Sequence, residues 1–199
     1  KRSIHYGINI KDDGGMEGEL EITYYNQSPP GQTLGGAYKN YLRVYVPNNA
    51  SLVGISIDGR QAETAVAEQN PIVYEKKNFA QKIVGKLEVE QREESGLSMV
   101  GFLVEVPVGS QKTVSIVYRL PVSLLSDDPV ARYNLAISKQ PGTDSDPFAL
   151  TINHPSSFTV KTEDPSSVPQ PFDSTQGKLI IPSDLSKDRQ FSIEILRKE

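Results

Sequence analysis

Histidine and cysteine, which serve most often in metal binding and nucleophilic catalysis, are scarce in this chain. Its 199 residues include two histidines and no cysteine, which excludes thiol catalysis and leaves few ligands for zinc. His5 falls in the first predicted strand, and His154 stands before a proline at a strand end. Neither has a partner at ligand spacing, so we interpret both as strand-edge or turn residues rather than as catalytic ones.

The sequence also lacks the common enzyme motifs. It contains no Gly-x-Ser-x-Gly elbow, no phosphate-binding P-loop and no His-Glu-x-x-His zinc motif. We therefore assign no catalytic, cofactor-binding or metal-binding residue, and we expect the chain not to be an enzyme.

Acidic turns are the remaining candidates for a metal site, because carboxylates and loop carbonyls are natural Ca²⁺ ligands. There are three of them: Asp12-Asp13 before Gly14-Gly15, Asp127-Asp128, and Asp144 with Asp146. None matches the EF-hand pattern. Asp is also a favoured turn residue, since its carboxylate accepts hydrogen bonds from nearby backbone N–H groups, and turn formation is the interpretation we favour.

Tyrosines cluster in one segment, at Tyr38, Tyr41 and Tyr45. They could form an aromatic platform for sugars or peptides, and Tyr41 and Tyr45 would share a face of a regular strand. Ordinary cross-strand packing explains the same residues equally well. Two stretches, Asn26-Gln27-Ser28 and Asn49-Ala50-Ser51, also match the N-glycosylation signal, although Pro29 directly after the first weakens that interpretation.

The elements that must carry these side chains are strands. Val, Ile, Thr, Tyr and Phe together number 56, against 26 for Leu, Ala and Met, and the former group suits a pleated surface. Residues alternate between apolar and polar in stretches such as Leu42–Val46 and Lys86–Glu90, and prolines stand at strand ends. Seven strands are predicted by about residue 120, and five more follow over residues 131–139, 148–153, 158–162, 178–181 and 191–196.

This density of strands predicts an all-β, antiparallel, immunoglobulin-like β-sandwich. We expect two packed lobes, a seven-stranded lobe at 1–122 and a smaller lobe at 123–199, joined through residues 122–130. One continuous sandwich over 1–199 is the alternative. Helix signals are confined to 61–69, where alanines precede Pro71, and to a single turn at 183–188.

Charge and hydropathy exclude two classes of partner. The net charge is −4, from 21 basic and 25 acidic residues, and evenly mixed charge is unsuited to a nucleic-acid backbone. No apolar stretch is long enough to span a bilayer, and no signal peptide is visible.

Several sequence segments, in each of which a strand is followed by a proline and a turn, resemble an uncharacterised bacterial family of membrane-anchored proteins with large extracytoplasmic regions. They occur in the same order as in that family's C-terminal part and cover about half of the chain: residues 41–53, 101–121, 133–143 and 146–155. The most distinctive is Lys139-Gln140-Pro141-Gly142. The resemblance implies an exported, cell-envelope location and an N-terminal membrane anchor outside this chain. That family has no established activity, so the resemblance supplies no site residues.

Three hypotheses for function follow. The first is a non-enzymatic envelope module with a structural or binding role, for which an envelope glycan or another envelope protein is the natural partner. The second is an accessory domain, substrate-positioning or carbohydrate-binding, of an envelope enzyme whose catalytic part lies upstream. The third is a hydrolase that uses the acidic turns with a metal. The alternation also predicts that Val104 is buried and that Glu88 faces solvent.

Overall fold

Strands make up the secondary structure of this protein. A computed structural model describes residues 1–29, 36–67, 85–124, 130–163, 173–175 and 177–198, and within these ranges it contains fifteen strands and no helix. They are β1 (Arg2–Ile10), β2 (Gly15–Tyr25), β3 (Tyr38–Pro47), β4 (Ser51–Ile57), β5 (Arg60–Gln61), β6 (Thr64–Val66), β7 (Leu87–Glu94), β8 (Leu97–Val106), β9 (Gln111–Ser123), β10 (Val130–Ile137), β11 (Pro147–Asn153), β12 (Phe158–Thr162), β13 (Asp173–Thr175), β14 (Lys178–Asp184) and β15 (Arg189–Arg197).

The strands form three sheets, so the prediction of an all-β sandwich is confirmed. An eight-stranded sheet has the order β13-β14-β11-β1-β2-β9-β4-β5, a four-stranded sheet has the order β3-β8-β7-β6, and a three-stranded sheet has the order β10-β15-β12. Most neighbours are antiparallel. The pairs β1–β11 and β6–β7 are parallel, a pairing that alternation along the sequence does not specify.

One continuous core joins the sheets. Its fully buried side chains come from all three of them, for example Ile8 and Ile116 from the largest sheet, Phe102 from the four-stranded sheet and Ile193 from the three-stranded sheet. Val104 is buried as predicted, at 2% exposure. The alternating pattern therefore places the apolar side chains of each sheet in a shared interior.

The division into two lobes stays a prediction. The eight-stranded sheet combines strands from both sides of residue 122, and β9 itself crosses this position. The parallel pair β1–β11 joins the beginning of the chain to its second half, with Ile4 opposite Phe148.

A group of buried tyrosines links the largest sheet to the three-stranded sheet. The hydroxyl of Tyr6 lies 2.6 Å from that of Tyr118 and 3.1 Å from that of Tyr133. Burial raises the pKa of all three phenols, to about 12 for Tyr118. Gly18, opposite Tyr118 on the neighbouring strand, leaves the space that these rings occupy.

The predicted orientation of Glu88 is wrong. Its side chain is 5% exposed, and all four residues of Leu87–Glu90 are buried. Both faces of β7 are covered over these four residues, so alternation of residue types is not matched by alternation of burial.

Neither predicted helix is present in the described residues. The backbone N–H of Ala62 donates to the carbonyl of Ile55 and that of Ala67 to the carbonyl of Val89, so this stretch enters sheets as β5 and β6; residues 68 and 69 lie outside the described part. Residues 183–188 begin as the end of β14, where the Asp184 carboxylate accepts a bond from the backbone N–H of Ser186. No described helix is long and apolar enough to cross a membrane.

Candidate functional site

A groove of about 880 Å³ opens at one end of the eight-stranded sheet. Strand pairing brings its walls together, since Arg2 of β1 pairs with Tyr24 of β2, and Tyr25 pairs with Gln111 at the start of β9. Because β11 runs parallel to β1, residues 140–147 before it also reach this end. The beginning of β3, in the four-stranded sheet, closes the opposite wall.

Three tyrosines line the groove. Tyr24 is buried and its ring lies 6.0 Å from that of Tyr38, centroid to centroid. The Tyr24 hydroxyl accepts a hydrogen bond from the Asn40 side-chain amide at 3.1 Å, and burial raises its pKa to about 12. Tyr38 is 45% exposed and packs on Tyr24, so supported aromatic surface faces the groove. Tyr25, which is 43% exposed, follows Tyr24 in β2 and therefore lines the groove from the other face of that sheet.

A half-buried ion pair lies beside these rings. Arg2 Nε donates to Asp146 Oδ2 at 2.7 Å, and Arg2 Nη1 donates to Gln140 Oε1 at 2.9 Å. The Asp146 carbonyl in turn accepts from the backbone N–H of Leu185. A charge-assisted bond from a partly desolvated guanidinium fixes the position of both side chains.

Asn26 anchors the segment that follows β2. Its side-chain amide donates to the carbonyls of Gly36 and Val106, both at 3.0 Å, and its Oδ1 accepts from the backbone N–H of Ser28. The residue is 7% exposed. Both N–H groups of this buried amide are hydrogen-bonded to backbone carbonyls. Asn26 therefore holds the segment in place and is not positioned to accept a glycan.

The loop that precedes β11 is ordered by its own hydrogen bonds. The Lys139 ammonium donates to the carbonyl of Thr143, the Thr143 hydroxyl donates to the carbonyl of Gln140, and Gly142 has a φ of 78° that suits glycine. The side chain of Asp188 fixes the start of the loop by accepting from the backbone N–H of Lys139 at 2.7 Å. The loop therefore presents its polar groups to the groove in a defined arrangement.

The charged side chains that line the groove are balanced in number. The charged side chains among its described lining residues are Lys1 and Arg2 against Asp144 and Asp146, so their formal charges cancel. Most of the remaining lining consists of amides, hydroxyls and tyrosine rings. Such a surface can donate and accept hydrogen bonds without selecting for a charged ligand.

The predicted tyrosine cluster is divided between two places. Tyr41 and Tyr45 share the outer face of β3, where the Tyr41 hydroxyl donates to Glu90 Oε2 at 2.7 Å and that of Tyr45 to Glu94 Oε2 at 3.2 Å. Arg92 pairs with both of those carboxylates. Cross-strand packing thus accounts for Tyr41 and Tyr45, while Tyr38 points to the opposite side and into the groove.

The two histidines lie apart and outside the groove. His5 is in β1, an interior strand of the largest sheet, with Nε2 2.8 Å from the hydroxyl of Thr151. His154 follows β11 and its Nδ1 lies 3.0 Å from the carbonyl of Pro155. His154 lies directly after the end of β11, as predicted, whereas His5 occupies the middle of a sheet rather than its edge.

Two of the three acidic turns fall in the described residues. Asp13 Oδ1 accepts from the backbone N–H of Gly15 at 2.9 Å, the turn bond expected of this residue type. Asp146 binds Arg2, a cation already supplied by the protein. In the described ranges no group of three or more His, Asp or Glu side chains is placed to hold a metal ion. Asp127 and Asp128 lie outside them.

Sequence reasoning missed most of the groove. Arg2 and Asp146 are 144 residues apart, and nothing local to either residue signals the contact. Tyr24 and Tyr25 were the available signal, because adjacent residues of a strand face opposite sides of a sheet, which leaves one of the two aromatic rings outside the core.

Comparisons with known proteins assign no family. No protein-family model matches the chain, and a search of curated proteins also finds no match.

Solved structures give partial similarities. Yeast LTA4 hydrolase in complex with bestatin matches at 11% identity and a TM-score of 0.48, over 98% of this chain and 28% of that one. The M1 zinc metallopeptidase from Deinococcus radiodurans matches at 8% identity and a TM-score of 0.41, over 98% and 41%. A putative nutrient binding protein from Legionella pneumophila matches at 10% identity and a TM-score of 0.45, over 96% and 65%.

This chain therefore spans less than two thirds of the length of each of these three proteins. At such identities and TM-scores the similarities give it neither a family nor an activity.

Proposed function

We propose that this chain is a non-enzymatic binding module of a bacterial envelope protein, located outside the cytoplasmic membrane, and that the groove is its binding site. The observation that carries the proposal is an open groove that combines exposed, supported tyrosine rings with prearranged hydrogen-bonding side chains. Its volume lies within the roughly 300–1,000 Å³ range of small-molecule sites. The envelope location rests on the resemblance of residues 41–53, 101–121, 133–143 and 146–155 to the family of membrane-anchored proteins.

The groove is suited to holding a ligand rather than to changing it. Its central charged groups, Arg2 and Asp146, are already bonded to each other, and the rings of Tyr24 and Tyr38 pack together. Prearranged side chains lose little freedom when a ligand binds, which raises affinity. In an enzyme with its catalytic part elsewhere, the same groove would position substrate, and this accessory role is the second form of the proposal.

The test is a titration of the ¹⁵N-labelled protein with a panel of neutral oligosaccharides, acidic oligosaccharides and extended peptides. We expect at least one class to shift the amide resonances of Tyr25, Asn26, Tyr38 and Gly142. If no member of the panel shifts them, or if binding maps to another surface, the groove is not the binding site and the proposal fails.

A further inference from the structure

We infer that the groove recognises a neutral glycan, through stacking of a sugar ring on Tyr38 or Tyr25 and hydrogen bonds from sugar hydroxyls to the Arg2–Asp146 pair. This inference rests on the proposed function and names its ligand class. Four features of the groove support it. They are the exposed tyrosine ring, a hydrogen-bond donor beside an acceptor, the cancelling charges of the lining side chains, and the interior position of the strands of the largest sheet.

The first feature is the exposed ring surface. A pyranose presents C–H groups on its face and hydroxyls around its rim, so it packs well on a flat ring with polar groups nearby. Tyr38 is 45% exposed and is supported from behind by Tyr24, 6.0 Å away. Tyr24 is fixed in turn by the Asn40 amide. The exposed ring is therefore held in position before a ligand arrives.

The second feature is a donor beside an acceptor. Arg2 uses Nε and Nη1 for Asp146 and Gln140, and its guanidinium has further N–H donors beyond these two bonds. Asp146 uses Oδ2 for Arg2, and its second carboxylate oxygen is an acceptor. A sugar hydroxyl both donates and accepts, so two adjacent hydroxyls match an adjacent donor and acceptor.

The third feature is the cancelling charge of the lining. Lys1 and Arg2 balance Asp144 and Asp146. A strongly acidic or basic polymer would meet as much repulsion as attraction here, and burying its charge would add a desolvation cost. A neutral ligand avoids both effects.

The fourth feature is that the largest sheet offers no free backbone edge at the groove. β11, β1, β2 and β9 are neighbours inside the sheet order, so their backbone N–H and C=O groups are already paired. A peptide that binds by adding a strand needs an unpaired edge. Recognition by these four strands must use side chains, as it does for sugar hydroxyls. β3, whose Tyr38 and Asn40 also line the groove, is an edge strand of the four-stranded sheet, and the peptides in the experiment test that edge.

The experiment is isothermal titration calorimetry with neutral β-linked glucose and N-acetylglucosamine tetrasaccharides, with uronic-acid tetrasaccharides and with extended peptides of neutral net charge. Tyr38→Ala is compared with Tyr45→Ala, which removes a ring of nearly equal exposure, 44%, from the other face of β3. Tyr38→Phe keeps the ring and removes only the hydroxyl.

We expect a neutral tetrasaccharide to bind, Tyr38→Ala to weaken it about tenfold or more, and Tyr45→Ala and Tyr38→Phe to change it less than about threefold. Peptides or acidic glycans that bind in the groove while neutral ones do not would overturn the inference and leave the proposed function standing. Neutral glycans that bind Tyr38→Ala as tightly as the parent protein would also overturn it. Absence of groove binding by every class would overturn both.

Discussion

At the scale of single residues, the absence of a side chain at position 18 is what admits the buried tyrosines. A Cβ placed on Gly18 would lie 2.7 Å from Cζ of Tyr118 and 2.9 Å from the hydroxyl of Tyr6. Real contacts are not that short, so at least one ring must move. The rings also carry the bond to Tyr133 in the neighbouring sheet, and a displacement would extend to it.

Gly18→Ala should therefore lower the free energy of unfolding by about 1–3 kcal/mol, the usual cost of overpacking a core. Urea denaturation followed by tyrosine fluorescence measures it. Gly36→Ala is the matched control, because a Cβ there meets no atom within 4 Å, and it should change stability by less than about 0.5 kcal/mol. Equal stability of the two variants would contradict the tight packing at position 18.

Buried phenols also predict the response to alkaline pH. Burial raises the pKa of Tyr24 and Tyr118 to about 12, and it also raises the pKa of Tyr6 and Tyr133. A tyrosine in the unfolded chain has a pKa of about 10. Above pH 10 the unfolded state loses these protons first. The stabilisation is therefore complete below about pH 10 and is lost as pH rises towards 12.

Urea midpoints measured from pH 8 to 12 should fall across the upper half of that range. Tyr118→Phe removes one of the groups responsible and should show a shallower fall than the parent protein. Tyr45→Phe, which alters an exposed ring, should follow the parent curve. A Tyr118→Phe curve parallel to that of the parent would show that burial of this phenol has no part in the alkaline effect.

At the scale of elements, local alternation located the longer strands. The predicted strand 158–162 coincides with β12, since its side chains alternate strictly between buried and exposed. The shortest strands, β5, β6 and β13, have two or three residues and offer no period to detect. Glu88 was misplaced because alternation predicts one covered face, whereas both faces of β7 are covered at Leu87–Glu90.

Because Glu88 is buried rather than solvent-facing, a substitution at this position should lower the stability of the protein. Glu88→Lys now places the opposite charge in a position that is 5% exposed, and it should cost about 2 kcal/mol or more. Glu93→Lys makes the same charge change at an exposed position of the same strand and should stay within about 0.5 kcal/mol. Thermal melts of the two variants compare them directly, and a pair of equal melting temperatures would restore the solvent-facing orientation of Glu88.

Pairing between distant strands explains why the groove was not predicted. Its polar centre joins residues 144 positions apart, and its aromatic wall joins Tyr24 and Tyr38 from different sheets. Residue type did provide a partial signal, because the tyrosine-rich segment was singled out. Tyr38 lines the groove, whereas Tyr41 and Tyr45 donate hydrogen bonds to carboxylates on the outer face of β3.

At the scale of the whole molecule, the shared sheet predicts cooperative unfolding. β11 and β14 belong to the second half of the chain but pair within the sheet built around β1 and β2, and a single core runs through both halves. Under conditions in which unfolding is reversible, differential scanning calorimetry should therefore show one transition. Its calorimetric enthalpy should equal its van't Hoff enthalpy. Two separated transitions would instead support independent lobes at 1–122 and 123–199.

The claim to be tested is that the groove between the Tyr38 ring and the Arg2–Asp146 pair binds a neutral glycan. The most direct measurement is the titration of parent, Tyr38→Ala and Tyr45→Ala proteins with neutral tetrasaccharides. We expect binding that Tyr38→Ala weakens about tenfold and that Tyr45→Ala leaves nearly unchanged. Binding that is equally strong in all three proteins, or absent from all three, would contradict it.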